Sequence, residues 1–540
     1  MNKTLVALLA SLLSLVASAQ ENLPTDYLTK EFHRGRRDAF REMMPANSIA
    51  FVFSYPERVF SNDVSYVFHQ NPDLYYLTGY KEPDAVLVLF KENQGNADSA
   101  YNELFFVRQR NALQETWTGR RLGVDGVKQK LGFQKVYNGQ DFASFPIDVS
   151  KFKVVITDVL PSGMSNEKSG SNLETLVDVL RNKLGSQPAD TALHQLFQYA
   201  AHNLTMGNIS NFKRYVERRK EEMPSLSSNP VVQLLINNPT AEQLDSVKTE
   251  LLKDKWGIDY FNDITKSLRQ IKTAEEMVLM RKVAMISAVA HAEVMKAVEP
   301  TMSEREAEGI QLYVHKRYGS EDEGYPAIVG AGANSCILHY EENSSLKLNN
   351  QLLLMDVGAE YHGYSADVTR TIPAKGKFSP EQRAIYQIVY DAQEAVFQLC
   401  KEGTPISDLN KKAKEIIAEG LLKLGIIKTK DEVDTYYPHG CSHFLGLDVH
   451  DKGDYGTTLK QNMVLTVEPG IYIPENSKCD KKWWNIGVRI EDDILVKKDS
   501  FENLSAYAPR KIEDIEKMSA LKSGFNSIEL PALNVGKAGF

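Results

Sequence analysis

Cysteine is scarce in this chain of 540 residues, which contains four. Small secreted domains that depend on disulfides carry many closely spaced cysteines, whereas here the spacing is wide and uneven. The four are Cys336, Cys400, Cys441 and Cys479. A disulfide framework is therefore excluded, and we expect free thiols, with a disulfide as the alternative if the chain is exported.

An excess of positive charge is also absent. The formal net charge is −8 and the isoelectric point is near 5.9, so the basic face of a nucleic-acid-binding protein is not expected. Beyond the N-terminal segment no apolar run reaches the roughly 20 residues of a membrane-spanning helix, and we expect no membrane insertion. The sequence lacks G-x-S-x-G, H-E-x-x-H and complete P-loop motifs, which argues against a serine hydrolase or a nucleotide enzyme.

The N-terminus has the order of a signal peptide. Lys3 precedes an apolar run at residues 5–16, and Ala17-Ser-Ala19 then forms an A-x-A cleavage pattern. The run is too short to span a bilayer, and no cysteine directly follows the cleavage pattern to carry a lipid. We predict a signal peptide at residues 1–19 and an exported protein, periplasmic or secreted. Its removal takes away one positive charge and no acid, which changes the net charge from −8 to −9.

The length of the chain predicts two domains, because it exceeds what one core usually serves. Short apolar runs alternate with turn signals between residues 48 and 90, which predicts an α/β domain over residues 20–264. Within it, the polar, helix-rich residues from about 165 to 255 predict a helical insertion. A second, α+β domain is predicted over residues 265–540, where Thr273-Ala-Glu-Glu276 forms a capping box before a helix to about Val298.

Two carboxylates lie on the strands of a predicted hairpin in the second domain. A turn around residues 361–363 brings Asp356 roughly opposite Asp367. Directly opposed side chains have Cβ atoms about 5 Å apart, and like charges there are destabilising. A bound metal ion offsets that repulsion directly, and a chance pair on an exposed hairpin is the alternative.

Further carboxylates follow or lie within apolar strands. Glu468 ends the apolar run at residues 464–467, and a buried carboxylate needs a partner. In the segment 487–493, Arg489, Glu491 and Asp493 share one face of a predicted strand. Periodicity does not distinguish Glu491 from Asp493 as a ligand.

Histidines are concentrated near these carboxylates. His439, His443 and His450 lie within twelve residues of each other, and His339 ends another predicted strand. Any one of them alone reads as a structural histidine, but together with four carboxylates they indicate a metal site.

The donor set indicates the metal and its chemistry. Four carboxylates and one imidazole are hard ligands that suit Mn²⁺ best, with Co²⁺, Zn²⁺ or Fe²⁺ as alternatives. Such a set can hold two divalent ions about 3.5 Å apart, lower the pKa of a water toward 7 and so supply a metal-bridging hydroxide. The remaining histidines and Arg489 are then available to stabilise the oxyanion and to transfer protons.

The motifs around these residues resemble those of the pita-bread metallopeptidases. They are Ile328-Val-Gly-Ala-Gly-Ala-Asn-Ser-Cys-Ile-Leu-His-Tyr340, Asp356-Val-Gly-Ala, Gly363-Tyr-Ser-Ala-Asp367-Val-Thr-Arg-Thr371, His439-Gly-Cys-Ser-His443, Gly446-Leu-Asp-Val-His450-Asp451, Val467-Glu-Pro-Gly-Ile-Tyr472 and Gly487-Val-Arg-Ile-Glu-Asp492. Within this clan the chain is similar to aminopeptidase P, the Xaa-Pro aminopeptidase of family M24. The N-terminal segments 70–79 and 115–123 support this likeness, which covers residues of about 30–160 and 265–520.

The resemblance implies a creatinase-like α/β N-terminal domain followed by an α+β pita-bread catalytic domain. It also implies the metal ligands: Asp356 on one ion, Asp367 and Glu491 bridging, and His443 and Glu468 on the other. The choice of Glu491 over Asp493 comes from this likeness alone.

The resemblance further implies the reaction, which is removal of an N-terminal residue that precedes proline from a peptide. It implies that Glu468 also takes a proton and that Arg489 holds the inner network. His339, His439 and His450 are implied to line the substrate site. A proline amide lacks an N–H, so its hydrolysis needs a specially shaped site.

Creatinase-like enzymes share the fold but lack the metal ligands, and they are excluded because all five ligands are present here. Two alternatives remain open. Prolidase, which cleaves only Xaa-Pro dipeptides, shares the metal ligands. A non-catalytic peptide-binding protein on this scaffold is the alternative from another class. Homo-oligomers, dimers or tetramers, are usual in the family, and we hypothesise that Trp117 reaches a neighbour's active site.

Overall fold

The computed structural model describes residues 24–161, 172–184, 191–220, 223–251 and 255–531. The predicted signal peptide at residues 1–19 lies outside these ranges. None of the described helices combines the length and the apolar character needed to cross a bilayer. All four cysteines are described and free, so the prediction of free thiols is confirmed.

The N-terminal half is built on one mixed sheet of order β6-β5-β4-β1-β7. Strand β1 pairs antiparallel with β4 and parallel with β7, and β5 pairs antiparallel with β4 and parallel with β6. The strands of this half are β1 (Ser48–Phe53), β2 (Val59–Ser61), β3 (Val64–Ser65), β4 (Val86–Gln94), β5 (Tyr101–Val107), β6 (Val136–Asn138) and β7 (Val154–Ile156).

Both faces of this sheet are covered, which explains why β1 from Ile49 onward and the start of β4 are apolar at every position rather than alternating. Ala50 and Val52 face one core, and Ile49, Phe51 and Phe53 face another. The helices of this half are α1 (Lys30–Met43), α2 (Pro72–Thr78), α3 (Ala112–Thr118), α4 (Gly123–Leu131), α5 (Leu173–Leu184), α6 (Thr191–Asn203), α7 (Ile209–Arg219), α8 (Pro224–Ser228), α9 (Pro230–Ile236), α10 (Ala241–Leu251) and α11 (Ile258–Arg269).

The predicted insertion is helical wherever it is described. Helices α6 to α10 enclose a small apolar core of their own, which includes Leu204, Phe212 and Leu235. Pro224 and Pro230 each occupy the first turn of a helix, where a missing N–H costs nothing.

The C-terminal half packs helices against short, strongly bent sheets. Its helices are α12 (Ala274–Ala297), α13 (Glu304–Arg317), α14 (Pro380–Phe397), α15 (Ile406–Lys423) and α16 (Ile512–Ser519). Its strands are β8 (Asp322–Glu323), β9 (Ile328–Ala331), β10 (Leu352–Val357), β11 (Ala359–Tyr361), β12 (Tyr364–Ser365), β13 (Val368–Pro373), β14 (Val464–Val467), β15 (Gly470–Ile473), β16 (Ile486–Arg489), β17 (Asp492–Val496) and β18 (Phe501–Asn503). The sheets are ordered β13-β10-β9, β12-β11-β8, β14-β17-β18 and β15-β16.

The capping box and helix predicted near the start of this half are confirmed in detail. Thr273 accepts from the backbone of Glu276, whose side chain accepts from the backbone of Thr273, and the helix ends at Ala297. The domain limits at residues 264 and 265 themselves stay a prediction.

Candidate metal centre

The hairpin that carries the two aspartates has a different register from the predicted one. Its turn lies at His362 and Gly363, both at positive φ, as a two-residue type I′ turn requires. Asp356 therefore pairs with Thr369, and the prediction that Asp356 lies opposite Asp367 is wrong. Asp367 is two residues away along the partner strand, on the same face and diagonal to Asp356.

The predicted strand over residues 487–493 is also two strands rather than one. Strand β16 ends at Arg489 and β17 begins at Asp492, with Glu491 at the break. Glu468 directly follows β14. Glu468 and Glu491 thus stand just outside strands, whereas Asp356 lies near the end of β10 and is paired with both neighbouring strands. All of these carboxylates lie close to strand ends, where their side chains can converge.

Four carboxylates and a histidine converge at these strand ends, and we call them the carboxylate centre: Asp356, Asp367, His443, Glu468 and Glu491. Nε2 of His443 lies 3.3 Å from an oxygen of Asp367, 3.6 Å from Glu468 and 4.0 Å from Glu491. Candidate ligand atoms of Asp367, His443 and Glu491 all lie within 4.8 Å of one another. Asp493 instead accepts from the backbone N–H of Asp367.

Asp356 is tied into the same cluster by two side chains. Nη2 of Arg489 donates to one of its oxygens at 2.6 Å. The hydroxyl of Tyr325 lies 2.5 Å from Asp356 and 2.6 Å from Asp367. A phenol has one proton, so it cannot donate to two ionised carboxylates at once.

The pKa shifts at the carboxylate centre show that negative charge is in excess. Burial, then the neighbouring Asp356, raises the pKa of Asp367. Burial and surrounding carboxylates raise the pKa of Glu468 to about 7 and that of Glu491 well above its usual value. Burial opposes charge on His443 too, but hydrogen bonding to Asp367 and the charge of Glu468 raise its pKa to about 9.

A divalent cation fits this donor set. Among the described residues, three buried carboxylates and the partly exposed Glu468 share one guanidinium, that of Arg489. Oxygen ligands with one imidazole are those of hard divalent ions. A metal ion stabilises the ionised carboxylates that burial alone disfavours. The residues present are therefore suited to hold cations.

The three remaining histidines line the same cavity of about 270 Å³ as the carboxylate centre. Nδ1 of His439 lies 2.7 Å from the carbonyl of Gly440, which can only accept. Nδ1 therefore carries the proton, and Nε2 accepts from the hydroxyl of Tyr472 at 2.8 Å. Burial lowers the pKa of His439 to about 4, so its ring is neutral. His339 and His450 are exposed at the rim.

The sequence analysis did not predict several residues that support the carboxylate centre from behind. Thr369 donates to Glu491 at 2.6 Å, and the fully buried Arg370 donates to the carbonyl of Glu491 and to Asp492. Tyr472 accepts from Arg489. Thr369, Arg370 and Tyr472 lie inside the quoted motifs, which was a usable signal, whereas Tyr325 lies outside them.

Comparison with protein-family models identifies the class of protein to which this chain belongs. The model for metallopeptidase family M24 matches residues 278–498, and the model for the aminopeptidase P N-terminal domain matches residues 33–152. The fold and the matches define a two-domain metallopeptidase with a pita-bread catalytic domain, as predicted.

Individual relatives identify the family within this class. The Xaa-Pro aminopeptidase of Escherichia coli K12 is 33% identical over 498 residues, which cover 90% of this chain and 97% of that protein. The one from Haemophilus influenzae is 33% identical over 504 residues, covering 91% and 97%. The structure of E. coli aminopeptidase P with the inhibitor Pro-Leu superposes with a TM-score of 0.71 at 32% identity, covering 91% and 98%. The chain belongs to the Xaa-Pro aminopeptidase family.

Proposed function

We propose that this chain is an exported aminopeptidase that holds two divalent ions, most suitably Mn²⁺, and hydrolyses the bond between an N-terminal residue and a following proline. The observation that carries the proposal is the convergence of four carboxylates, three of them buried, and His443 with too little positive charge of their own. Co²⁺, Zn²⁺ and Fe²⁺ are the alternative ions.

The proposed ligand set follows the family pattern. Asp356 would hold one ion, Asp367 and Glu491 both ions, and His443 and Glu468 the other. When bound, such a pair of ions lowers the pKa of water toward neutrality and polarises the scissile carbonyl.

The chain's own residues orient the reaction. Without ions the pKa of Glu468 is raised to about 7. Nearby cations lower that pKa, which leaves an ionised carboxylate able to accept a proton. Arg489 fixes the orientation of Asp356 and of the Tyr472 hydroxyl. The neutral His439, with His339 and His450, would contact the substrate from the rim of the cavity.

The assay that tests the proposal compares three short peptides with and without Mn²⁺. We expect cleavage of Xaa-Pro-Yaa after the first residue, and none of Xaa-Ala-Yaa. If only the dipeptide Xaa-Pro is cleaved, and neither tripeptide, the protein is a prolidase instead. No turnover, together with fewer than two bound ions, would favour a non-catalytic peptide-binding protein.

A homo-oligomer, dimer or tetramer, is part of the proposal. Helix α3 buries none of its residues within the described chain, and Trp117 on it is 88% exposed. A large exposed aromatic on such a helix is suited to contact a neighbouring copy. We expect Trp117→Ala to change either the oligomeric mass or peptide turnover, and we would abandon its role if neither changed.

Export is proposed from the sequence pattern at residues 1–19. Mass spectrometry of the natively expressed protein should find a mature chain that begins at Gln20. An intact N-terminus in a cytosolic fraction would refute this part of the proposal.

A further inference from the structure

His450 depends on its backbone for its orientation. Its ring packs edge-on against that of His443, with centroids 4.4 Å apart and planes at 85°. In the described part of the chain no group forms a hydrogen bond with the His450 ring. An imidazole without such a bond is oriented only by packing and by the loop that carries it.

That loop is held on both sides of His450 by one buried arginine. Nη2 of Arg269 lies 2.6 Å from Asp448 and 2.5 Å from Asp451. Lys272 donates to the other oxygen of Asp451 at 2.9 Å. The side chains of Arg269, Lys272 and Asp451 are each 1% exposed, so the bonds among them form away from competing water and are strong and directional. The Asp448 side chain stands at the edge of this buried group, 42% exposed.

The same arginine joins the loop to the N-terminal domain. Its Nη1 lies 2.9 Å from Asp73, which stands in the first turn of α2. Lys452, just beyond Asp451, donates to the other oxygen of Asp73 at 2.7 Å and to Thr265 on α11. The loop around His450 is thus clamped between two domains.

We call these six residues the Arg269 cluster: Asp73, Arg269, Lys272, Asp448, Asp451 and Lys452. Three carboxylates meet three cations, so the charge is balanced. Burial opposes ionisation of Asp73 and Asp451, but the adjacent cations hold the pKa of both below the usual value. The charges of the cluster therefore balance without an added ion, although Nε of Arg269 is buried without a hydrogen-bond partner.

The cluster also reaches the hairpin of the carboxylate centre. A Cβ at Gly446 would overlap the carboxylate of Asp451, so the loop packs directly on the cluster. The carbonyl of Gly446 accepts from the backbone of Ser365 on β12, two residues before Asp367. The position of the loop is therefore linked to that of a proposed metal ligand.

We propose that Arg269, acting through Asp448 and Asp451, is a positioning residue that fixes His450 at the substrate side of the metal centre. This inference rests on the proposed function, in which His450 contacts the peptide. It gives the N-terminal domain a role in positioning the catalytic site, because Asp73 of that domain binds the same arginine.

Asp448→Asn is the test variant, since the Asp448 side chain is 42% exposed and Arg269 keeps two other carboxylates. The fold should therefore tolerate it, unlike Arg269→Ala. Asp454→Asn is the matched control, because Asp454 lies in the same loop region and is exposed. Within the described chain its carboxylate accepts only from the backbone N–H of Gly456.

A double-mutant cycle with His450→Ala separates positioning from a general effect on the fold. We expect Asp448→Asn to lower kcat/KM about tenfold with two ions still bound, because small displacements of an aligned group are costly. In the His450→Ala background the same change should have no further effect. An equal loss in both backgrounds, or no loss relative to Asp454→Asn, would overturn the inference.

Hydrogen–deuterium exchange gives a readout that does not depend on activity. Backbone amides of residues 446–452 should exchange several-fold faster in Asp448→Asn than in wild type or Asp454→Asn. If wild type fails to cleave Xaa-Pro-Yaa peptides, the proposed function is wrong, but the exchange data still test whether the Arg269 cluster holds the loop in place. Unchanged exchange in Asp448→Asn would refute that role of the cluster.

Discussion

The two buried charge clusters of this protein differ in how their charge is balanced. In the carboxylate centre the pKa of Asp367, Glu468 and Glu491 is raised. In the Arg269 cluster the pKa of Asp73 and Asp451 is lowered, although these two groups are as buried as Asp367 and Glu491. The difference lies in the neighbours, which are other carboxylates in the first cluster and cations in the second.

This difference distinguishes a binding site from a structural ion network. A cluster whose positive and negative charges balance requires no added ion or proton once the chain folds. A cluster with excess negative charge is costly unless protons or cations enter it. We therefore interpret the carboxylate centre as built for an added cation and the Arg269 cluster as built to hold geometry.

The largest expected effect comes from removing one charge of the carboxylate centre. Glu491→Gln should lower kcat/KM at least about 10³-fold, because loss of the proposed bridging ligand would remove several kcal/mol of transition-state stabilisation. Without ions, its free energy of unfolding should stay within about 0.5 kcal/mol of wild type. The amide resembles the protonated carboxyl that the raised pKa favours. Steady-state kinetics measures kcat/KM, and urea unfolding measures the free energy of unfolding. Marked destabilisation of the ion-free variant would contradict the difference that we infer between the carboxylate centre and the Arg269 cluster.

The opposite result is expected in the Arg269 cluster. Lys272 is buried and paired with Asp451, so Lys272→Met leaves a buried carboxylate short of one cation. We expect a loss of about 3 kcal/mol in the free energy of unfolding, as for other broken buried pairs. Urea unfolding with and without Mn²⁺ checks this, and a change below about 1 kcal/mol would show that the pair is dispensable.

The pH dependence of stability should separate the clusters further. In ion-free protein the pKa of Glu468 is raised from 4.5 to about 7. The folded state then binds the extra proton, so this contribution is fully present below about 4.5 and is lost as pH rises toward 7. The lowered pKa of Asp73 and Asp451 acts only at more acidic pH, where stability is lost as pH falls.

The matched control for that experiment is Glu468→Gln, measured without ions over the same pH range. Buried histidines such as His33, whose pKa burial lowers to about 4, contribute equally to both proteins and cancel. The wild-type free energy of unfolding minus that of Glu468→Gln should decrease between pH 4.5 and 7. A flat difference would show that Glu468 is not held in its neutral form.

The smallest effect is expected at the surface. Lys430 pairs with Glu419, and both side chains are about half exposed. Lys430→Met matches Lys272→Met in chemistry but should change the free energy of unfolding by less than about 0.5 kcal/mol. A thermal unfolding series compares the two, and equal effects would mean that burial does not decide the value of these pairs.

The sequence predicted the carboxylate centre because its members lie on strands and in short motifs. Asp356 and Asp367 flank one hairpin, so their proximity follows from local geometry. The register was wrong because the turn is centred between His362 and Gly363, which shifts the pairing by two residues. Tyr325 was missed because a lone tyrosine gives no local signal for the two aspartates it contacts.

The Arg269 cluster was invisible in the sequence for a different reason. Arg269 meets Asp73 across 196 residues and Asp448 across 179. No periodicity relates positions so distant. Asp448 and Asp451 lie inside a motif that carries the family resemblance, and Asp73 lies in the segment 70–79, but a motif does not show which residue pairs with which. Only the packing of two domains brings them together.

The stoichiometry of bound metal tests the central claim most directly. Elemental analysis after reconstitution with Mn²⁺ and removal of free ions should find two ions per wild-type chain, fewer in Glu491→Gln, and two in Lys272→Met. Fewer than two ions in wild type, or an unchanged two in Glu491→Gln, would contradict the claim that the excess carboxylates form a two-metal site.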